Sequence, residues 1–258
     1  MPNNIRYFTI LGERCSGTHF LQHAILSNFQ GLTYLKGEKH FFGNKEFREE
    51  RLQGVDPATL SLHEKQMLEI DRVPTDELLV VSIVRHPVEW VDSFYKRKHH
   101  VPPENREPVK RFMTCEFYSI YEEGPKKGLE IMEDRNWRTK ERYRDLFELR
   151  AEKNAYLREE VPKQAKHHWF IRYEDLRDHY VDTLAKMERE FSLRRKPVSV
   201  KEFVRIEKYK GTYNALYEKK PVVLTPEIQD LIWRNVDIEQ EKEIGYLPGE
   251  GMYSSSYV

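Results

Sequence analysis

The stretch of this sequence most suited to chemistry is GERCSGTHFL, residues 12–21. Gly12 and Gly17 stand five residues apart, after a short apolar run and before a segment with helical spacing. This pattern is typical of a phosphate-binding loop, whose backbone N–H groups and following helix N-terminus hold phosphate or sulfate oxygens. Arg14 adds a fixed charge that can bridge two oxygens. The stretch predicts an anion site, and a glycine-containing turn without a ligand is the alternative.

The loop differs from that of the nucleoside triphosphatases. Those proteins continue with a lysine and then a serine or threonine, which contact the terminal phosphates and magnesium. Thr18 and His19 stand at those positions here. The missing lysine argues against Mg-ATP chemistry, whereas a 5′-phosphate can still be bound. A nucleotide or small-molecule kinase is therefore kept only as an alternative, which magnesium dependence would reveal.

A second anion site is indicated by VRHPVEWVDSFY, residues 84–95. Arg85 follows a nearly continuous apolar run, and open α/β sheets bind ligands at the carboxyl ends of their strands. Ser93 lies six helical residues beyond Pro87, or roughly 9 Å along a helix. The second anion is thus expected to be distinct from the first, as in a nucleotide phosphorylated at both 5′ and 3′ positions. The alternative is that Arg85 pairs with a surface carboxylate and Ser93 faces water.

These residues resemble the sulfotransferases that use 3′-phosphoadenosine 5′-phosphosulfate (PAPS). The family's 5′-phosphosulfate loop is similar to RCSGTHFL, residues 14–21, and its 3′-phosphate motif is similar to Arg85, Pro87 and Ser93. IRYEDL, residues 171–176, also resembles the superfamily. The resemblance covers residues 5–100 and 168–250, and GERCSGT together with NWRTKERYRDLFELR, residues 136–150, is similar to a less characterised branch.

The resemblance implies an enzyme that moves a sulfuryl group from PAPS to a hydroxyl or amine acceptor, with a carbohydrate as one candidate. PAPS would be the co-substrate, and no metal would be needed because a sulfuryl group carries less charge than a phosphoryl group. The family's late nucleotide loop, usually Arg-Lys-Gly with a downstream Trp, is resembled only in part by Lys208-Tyr209-Lys210-Gly211. The nucleotide contacts implied are Arg14, Cys15, Ser16, Gly17, Thr18, His19, Arg85, Ser93, Lys210 and Gly211.

Lys39 and His40 fall where many family members place a lysine and a histidine base, there separated by one residue. The hypothesis is that His40 accepts the acceptor's proton, and that Lys39 or Arg14 stabilises the leaving phosphate. Glu38 is the reserve base. The alternative for His40 is a half-buried neighbour of the two phenylalanines that follow it.

The family's usual basic residue two places before the loop glycine is replaced by Cys15, which leaves Arg14 one place early. A third function is therefore a non-catalytic nucleotide- or glycan-binding relative that lost activity through this change. His19 and His23 have the spacing of a zinc pair, but the intervening glutamate of such motifs is absent and no third ligand is evident, so a metal site is rejected.

Charged and aromatic residues outside these motifs are mostly interpreted as surface residues or as contacts to an acceptor. Arg150 and Lys153 are read as ordinary surface charge, with contact to an anionic acceptor as the alternative, and His167-His168 as solvated surface. Trp137 and Tyr143 are candidates for stacking on a sugar ring.

Strands are predicted at residues 7–11, 32–35, 78–84 and 169–171. Helices are predicted from Gly17, over 57–71, and from Pro87, Asp175 and Thr225 onward. This alternation predicts a three-layer α/β fold with a parallel sheet, P-loop-like in form. Residues 96–167, rich in charge, are expected to form a mostly helical insert within a single domain spanning 1–258.

The composition of the chain argues against several classes of protein. The chain has 258 residues, with 43 Lys+Arg against 43 Asp+Glu, so no global basic field favours long nucleic acid. Apolar residues at 39% and aromatic residues at 12% argue against disorder. Two cysteines form no disulfide framework, and no apolar run approaches the ~20 residues of a membrane span. A cytoplasmic protein with a small-molecule or glycan acceptor, and no nucleic-acid or membrane partner, is expected.

Overall fold

The structure, a computed structural model, describes residues 4–36, 70, 72–204 and 224–249. Within these residues the strands form one parallel sheet in the order β2-β1-β3-β4. The strand bounds are β1 Tyr7–Leu11, β2 Thr33–Tyr34, β3 Leu78–Val84 and β4 His167–Arg172. The prediction of an α/β fold with a parallel sheet is confirmed.

The central strand β3 explains why its sequence is nearly all apolar. All seven of its residues are buried. Because successive side chains of a strand point to opposite faces, burial of every residue means that both faces of β3 are covered. Its register pairs Val80 with Thr9 on β1 and Ile83 with Ile171 on β4.

Several helices begin close to the positions that the sequence indicates, but the single helix predicted from Asp175 onward is two helices, which meet at His179. Helix α2 begins at Pro87, whose fixed φ suits the first turn, and α8 begins at Pro226 after Thr225. The expected helix at 57–71 lies almost wholly outside the described residues. The helix bounds are α1 Thr18–Asn28, α2 Pro87–Arg97, α3 Val109–Thr114, α4 Leu146–Ala155, α5 Val161–Gln164, α6 Tyr173–Asp178, α7 Tyr180–Phe191, α8 Pro226–Asn235 and α9 Ile238–Ile244. None of the helices described is long and apolar enough to cross a membrane.

The chain divides into two compact units. The first contains residues 1–84 and 156–219 and carries the whole described sheet. An apolar cluster in this unit joins β1, α1, α6 and α7, and each fully buried Leu or Ile adds about 1.5–3 kcal/mol of transfer free energy. The cluster includes Phe8, Leu21, Ile25, Leu176, Leu184 and Met187.

The second unit contains residues 85–155 and 220–258. Trp90 and Phe94 of α2 are buried, as their helical spacing predicts, and the Phe94 ring packs against Phe112 and Phe117. Helices lie near the ends of the 96–167 segment, whereas residues 115–145 are mainly irregular, apart from the single helical turn Met132–Asp134. Isolated bridges such as Phe117 to Tyr143 hold that middle part. A single domain with an insert at 96–167 stays a prediction.

Candidate anion-binding site

The loop between β1 and α1 is a tight turn closed by its own backbone. The Ser16 N–H and the Ser16 hydroxyl both donate to the carbonyl of Glu13, at 3.1 and 2.6 Å. Cys15 and Gly17 have positive φ angles of 64° and 100°. Alternation of left-handed residues in a loop turns successive N–H groups toward a common concavity, which is how backbone nests bind anions. Residues 12–17 therefore form a tight turn with two left-handed residues, and their role as an anion site stays a prediction.

Both glycines of the loop are required by close approach. A Cβ at Gly12 would lie 2.6 Å from the Ile83 carbonyl oxygen and 2.7 Å from Ser16 Oγ. A Cβ at Gly17 would lie 2.4 Å from Tyr173 Cδ2, and its φ of 100° is itself unfavourable for other residues. The spacing of the two glycines is therefore set by β3 on one side and by Tyr173 on the other.

The N-terminus of α1 has no side-chain cap. Gly17 is the N-cap residue, and no acidic residue stands in the first turn. The first intrahelical bond runs from Leu21 N–H to the Gly17 carbonyl at 3.1 Å. Because the first N–H groups of a helix have no intrahelical acceptor, the first turn of α1 carries partial positive charge.

The Arg14 side chain pairs with a carboxylate of its own loop, that of Glu13. Its Nη1 lies 3.5 Å from Glu13 Oε1, and the side chains are 8% and 10% exposed. The Arg14 backbone N–H also donates to Glu13 Oε1, at 2.7 Å. The Glu13 carboxylate thus offsets part of the positive charge that Arg14 brings to the loop.

Tyr173 is the residue of this site that sequence reasoning missed. It follows β4 directly, as the first residue of α6, and is buried against Gly17. Its signal was its place in IRYEDL, because the carboxyl ends of parallel strands meet at one edge of a sheet. Next to it, Arg172 binds Asp175 through two hydrogen bonds of 3.0 and 2.6 Å, which orders the strand-to-helix junction.

In the second unit, Arg85 directly precedes α2. Its Nη2 donates to Glu89 Oε2 at 3.1 Å, and the side chains of Arg85 and Glu89 are 16% and 4% exposed. Arg85 therefore pairs with a carboxylate, but Glu89 is buried on α2 and is not the surface carboxylate of the alternative. Ser93 lies half-buried on α2. As the motif predicts, Ser93 lies on α2 and Arg85 lies two residues before this helix begins.

Several predicted site residues lie outside the described part of the chain. These are Lys39, His40 and the reserve base Glu38, and also Lys210 and Gly211. Their assignments stay predictions.

The sequence interpretations of four residues are wrong. Arg150 and Lys153 are not surface charge, because they are 4% and 2% exposed. His168 is half-buried: its Nε2 lies 2.9 Å from Ser82 Oγ, and burial lowers the pKa of the imidazole to about 4. Tyr143 is fully buried, so its ring cannot stack on a sugar. Trp137 donates its indole N–H to the Glu152 carbonyl at 3.1 Å, and the Arg138 guanidinium lies over its ring at 4.2 Å.

Among the described residues, no group of three or more His, Cys, Asp or Glu side chains is placed to hold a metal ion. Cys15 and Cys115 are not joined in a disulfide.

No protein-family model matches the chain, and no curated protein matches it. Among solved structures, the chain is similar to the crystal structure of mouse sulfotransferase SULT7A1 complexed with PAP. The two are 14% identical, the match covers 92% of this chain and 89% of that chain, and the TM-score is 0.42. The α/β assignment itself rests on the parallel sheet described above.

Proposed function

We propose that this chain is a PAPS-dependent sulfotransferase that transfers a sulfuryl group to a hydroxyl or amine acceptor. The observation that carries the proposal is the loop before α1, where two glycines permit close backbone packing and the helix N-terminus has no side-chain cap. A loop of this form suits a phosphate or sulfate group through backbone N–H groups. The lysine that Mg-ATP chemistry needs is replaced by Thr18.

The donor nucleotide carries two anionic groups, and we assign each group to the residues that would bind it. The 5′-phosphosulfate is assigned to residues 14–19, where N–H groups from the loop and the first turn of α1 would bind it. The 3′-phosphate is assigned to Arg85 and Ser93. A guanidinium has five N–H donors, so the bond from Arg85 Nη2 to Glu89 does not use the whole donor capacity of the side chain. Lys210 and Gly211 are proposed as further nucleotide contacts.

In the proposed reaction the bond between sulfur and the 5′-phosphate oxygen breaks while a bond forms from sulfur to the acceptor oxygen or nitrogen. His40 would take the proton that the acceptor loses, with Glu38 as the reserve base. Lys39 or Arg14 would stabilise the negative charge that develops on the leaving phosphate. Glu13 offsets part of the Arg14 charge, and both cations are kept in the proposal.

The acceptor is proposed to be a small molecule or a glycan in the cytoplasm. The carbohydrate alternative no longer has support from Tyr143, which is buried. Trp137 also offers less ring surface than its sequence position suggests, because Arg138 stacks on it.

The proposal is tested by thermal denaturation with and without adenosine 3′,5′-bisphosphate (PAP), the product nucleotide. At a concentration one hundred times Kd, binding should add about 2.7 kcal/mol to the free energy of unfolding. Arg85→Ala should abolish most of this gain. Arg138→Ala is the matched control, because Arg138 also pairs with a glutamate in the same unit, at 3.0 Å, but on the exposed surface.

Two results would contradict the proposal. Stabilisation by Mg-ATP and not by PAP would favour the kinase alternative. Stabilisation by PAP without sulfuryl transfer to any hydroxyl or amine acceptor would favour the non-catalytic relative.

A further inference from the structure

The backbone carbonyl of Arg85 accepts a hydrogen bond from a buried arginine. Arg150 of α4 donates through Nη2 to the backbone carbonyl of Arg85, at 2.9 Å. Its guanidinium also lies 5.3 Å from the centre of the Trp90 ring on α2. A long side chain that is 4% exposed and bonded to a backbone carbonyl restricts where that carbonyl can lie.

Arg150 is itself fixed by Glu241 of α9. The two side chains form a bidentate pair, in which Nε and Nη2 of Arg150 donate to Oε1 and Oε2 of Glu241 at 2.5 and 2.8 Å. Glu241 is 1% exposed. A fork-shaped pair of this kind permits one relative geometry, so α9 sets the position of the Arg150 guanidinium.

The residue after Arg85 is held by the same part of the chain. The His86 ring is buried and makes edge contacts with Trp233 of α8 and Tyr246, at ring-centre distances of 5.5 and 5.4 Å. The Tyr246 N–H donates to the Glu241 carbonyl at 2.8 Å, which ties this ring to the end of α9. Residues 85 and 86, the entry to α2, thus have contacts with α4, with α8 and with Tyr246, which follows α9.

We propose that Arg150 and Glu241 are positioning residues for recognition of the donor's 3′-phosphate. They fix the backbone of Arg85 at the start of α2, and this restricts the positions that its guanidinium can reach. The inference rests on the proposed function, because it takes Arg85 as the 3′-phosphate contact. Displacement of a charged donor by about 1 Å weakens an oriented interaction strongly, so a pair that fixes the backbone can govern affinity without touching the nucleotide.

The competing explanation is that this pair only stabilises the fold. A purely structural role would not distinguish nucleotides with a 3′-phosphate from those without one. The informative quantity is therefore the ratio of the Kd for adenosine 5′-phosphate to the Kd for PAP, since the two compounds differ only in the 3′-phosphate.

The experiment measures both Kd values by calorimetric titration for the full chain and for Glu241→Gln. The wild-type chain should bind PAP more tightly than adenosine 5′-phosphate. In Glu241→Gln the Kd for PAP should rise at least about tenfold, while the Kd for adenosine 5′-phosphate stays within about twofold. Asp134→Asn is the matched control, because it also changes the carboxylate of a buried ion pair with α4, that of Lys153, and should leave the ratio unchanged.

Arg150→Lys is the second variant, for use if Glu241→Gln does not fold. It keeps the positive charge beside Glu241 but cannot span both Glu241 and the Arg85 carbonyl, so the ratio should fall in the same way. A folded variant that keeps the wild-type ratio overturns the inference and leaves the proposed function standing. A wild-type chain with no preference for PAP overturns the proposed role of Arg85, and the inference with it.

Discussion

The ring of Tyr173 lies directly against Gly17, so that a Cβ at residue 17 would come within 2.4 Å of Tyr173 Cδ2. Gly17 is the N-cap of α1, and Tyr173 is the first residue after β4. Tyr173 is itself held by an edge contact with Phe20, at 6.1 Å between ring centres. The loop before α1 is thus packed at Gly17 against a strand-to-helix junction far away along the chain.

Gly17→Ala should destabilise the protein and abolish binding of PAP. The added methyl group would collide with a buried ring, and an alanine at a φ of 100° is strained as well. We expect a loss of about 3 kcal/mol or more in the free energy of unfolding, made up of about 1–2 kcal/mol for the backbone and the remainder for overpacking. Urea unfolding and PAP titration measure the two effects.

Gly31→Ala is the matched control for this substitution. Gly31 lies in the same unit with a φ of 75°, but among the described residues, its chain neighbours apart, no atom lies within 4 Å of the position its Cβ would take. It should lose only the backbone contribution, about 1–2 kcal/mol, and bind PAP normally. Equal losses of stability and binding in both variants would show that the Tyr173 contact does not shape the loop.

His168 should make stability depend on pH. Burial lowers the pKa of its imidazole to about 4, against 6.5 as an ordinary value. Above pH 6.5 the ring is neutral in both states; between 6.5 and 4 the unfolded chain takes up the proton and the folded chain does not. The free energy of unfolding should therefore fall as the pH decreases through this window, by about 2 kcal/mol after allowance for solvent around a half-buried ring.

Urea unfolding of the wild type and of His168→Gln at several pH values between 7.5 and 4 checks this. The variant removes the titrating group and should show a shallower decrease than the wild type. His179→Gln, at an exposed histidine in the same unit, serves as the control substitution. A slope in His168→Gln equal to that of the wild type would contradict the assignment.

Lys153 and Asp134 form the pair whose disruption should be most damaging in the second unit. Their side chains are each 2% exposed and 2.5 Å apart, and the Ser119 hydroxyl also donates to the Asp134 carboxylate. Lys153→Met would remove the buried cation from this carboxylate and should lower the free energy of unfolding by about 3–5 kcal/mol. Thermal and urea unfolding measure the loss.

The double variant Lys153→Met/Asp134→Leu should recover much of that loss, because it removes both charges. Lys242→Met breaks an exposed pair with Glu239 and should change stability by less than about 1 kcal/mol. If the double variant is no more stable than Lys153→Met, the damage comes from packing and not from an uncompensated charge.

The strands closest to the anion loop could be located from sequence because their signal is local. The run at 7–11 ends at Gly12 and the run at 78–84 ends at Arg85, and β1 and β3 have these bounds. Pro87 marks the first turn of α2 for an equally local reason, its fixed φ. Burial of Trp90 and Phe94 followed from helical spacing.

Arg150, Lys153 and His168 show where this reasoning fails. All three were interpreted as surface residues, because charged and titratable side chains in a charged segment usually face water. Arg150 instead binds Glu241, 91 residues later, and His168 lies beside Ser82, 86 residues earlier. No local pattern discloses a partner at that separation.

The amino-acid order by itself determined the alternation of strands and helices, the place of the glycine loop, and the motif that puts Arg85 and Ser93 on one helix and its entry. Only the tertiary structure decided that Tyr173 confines Gly17, that Glu13 offsets Arg14, and that Glu241 holds Arg150 behind Arg85. The physical reason is that propensity and periodicity act within a few residues, whereas burial and charge pairing depend on which distant residues the fold brings into contact.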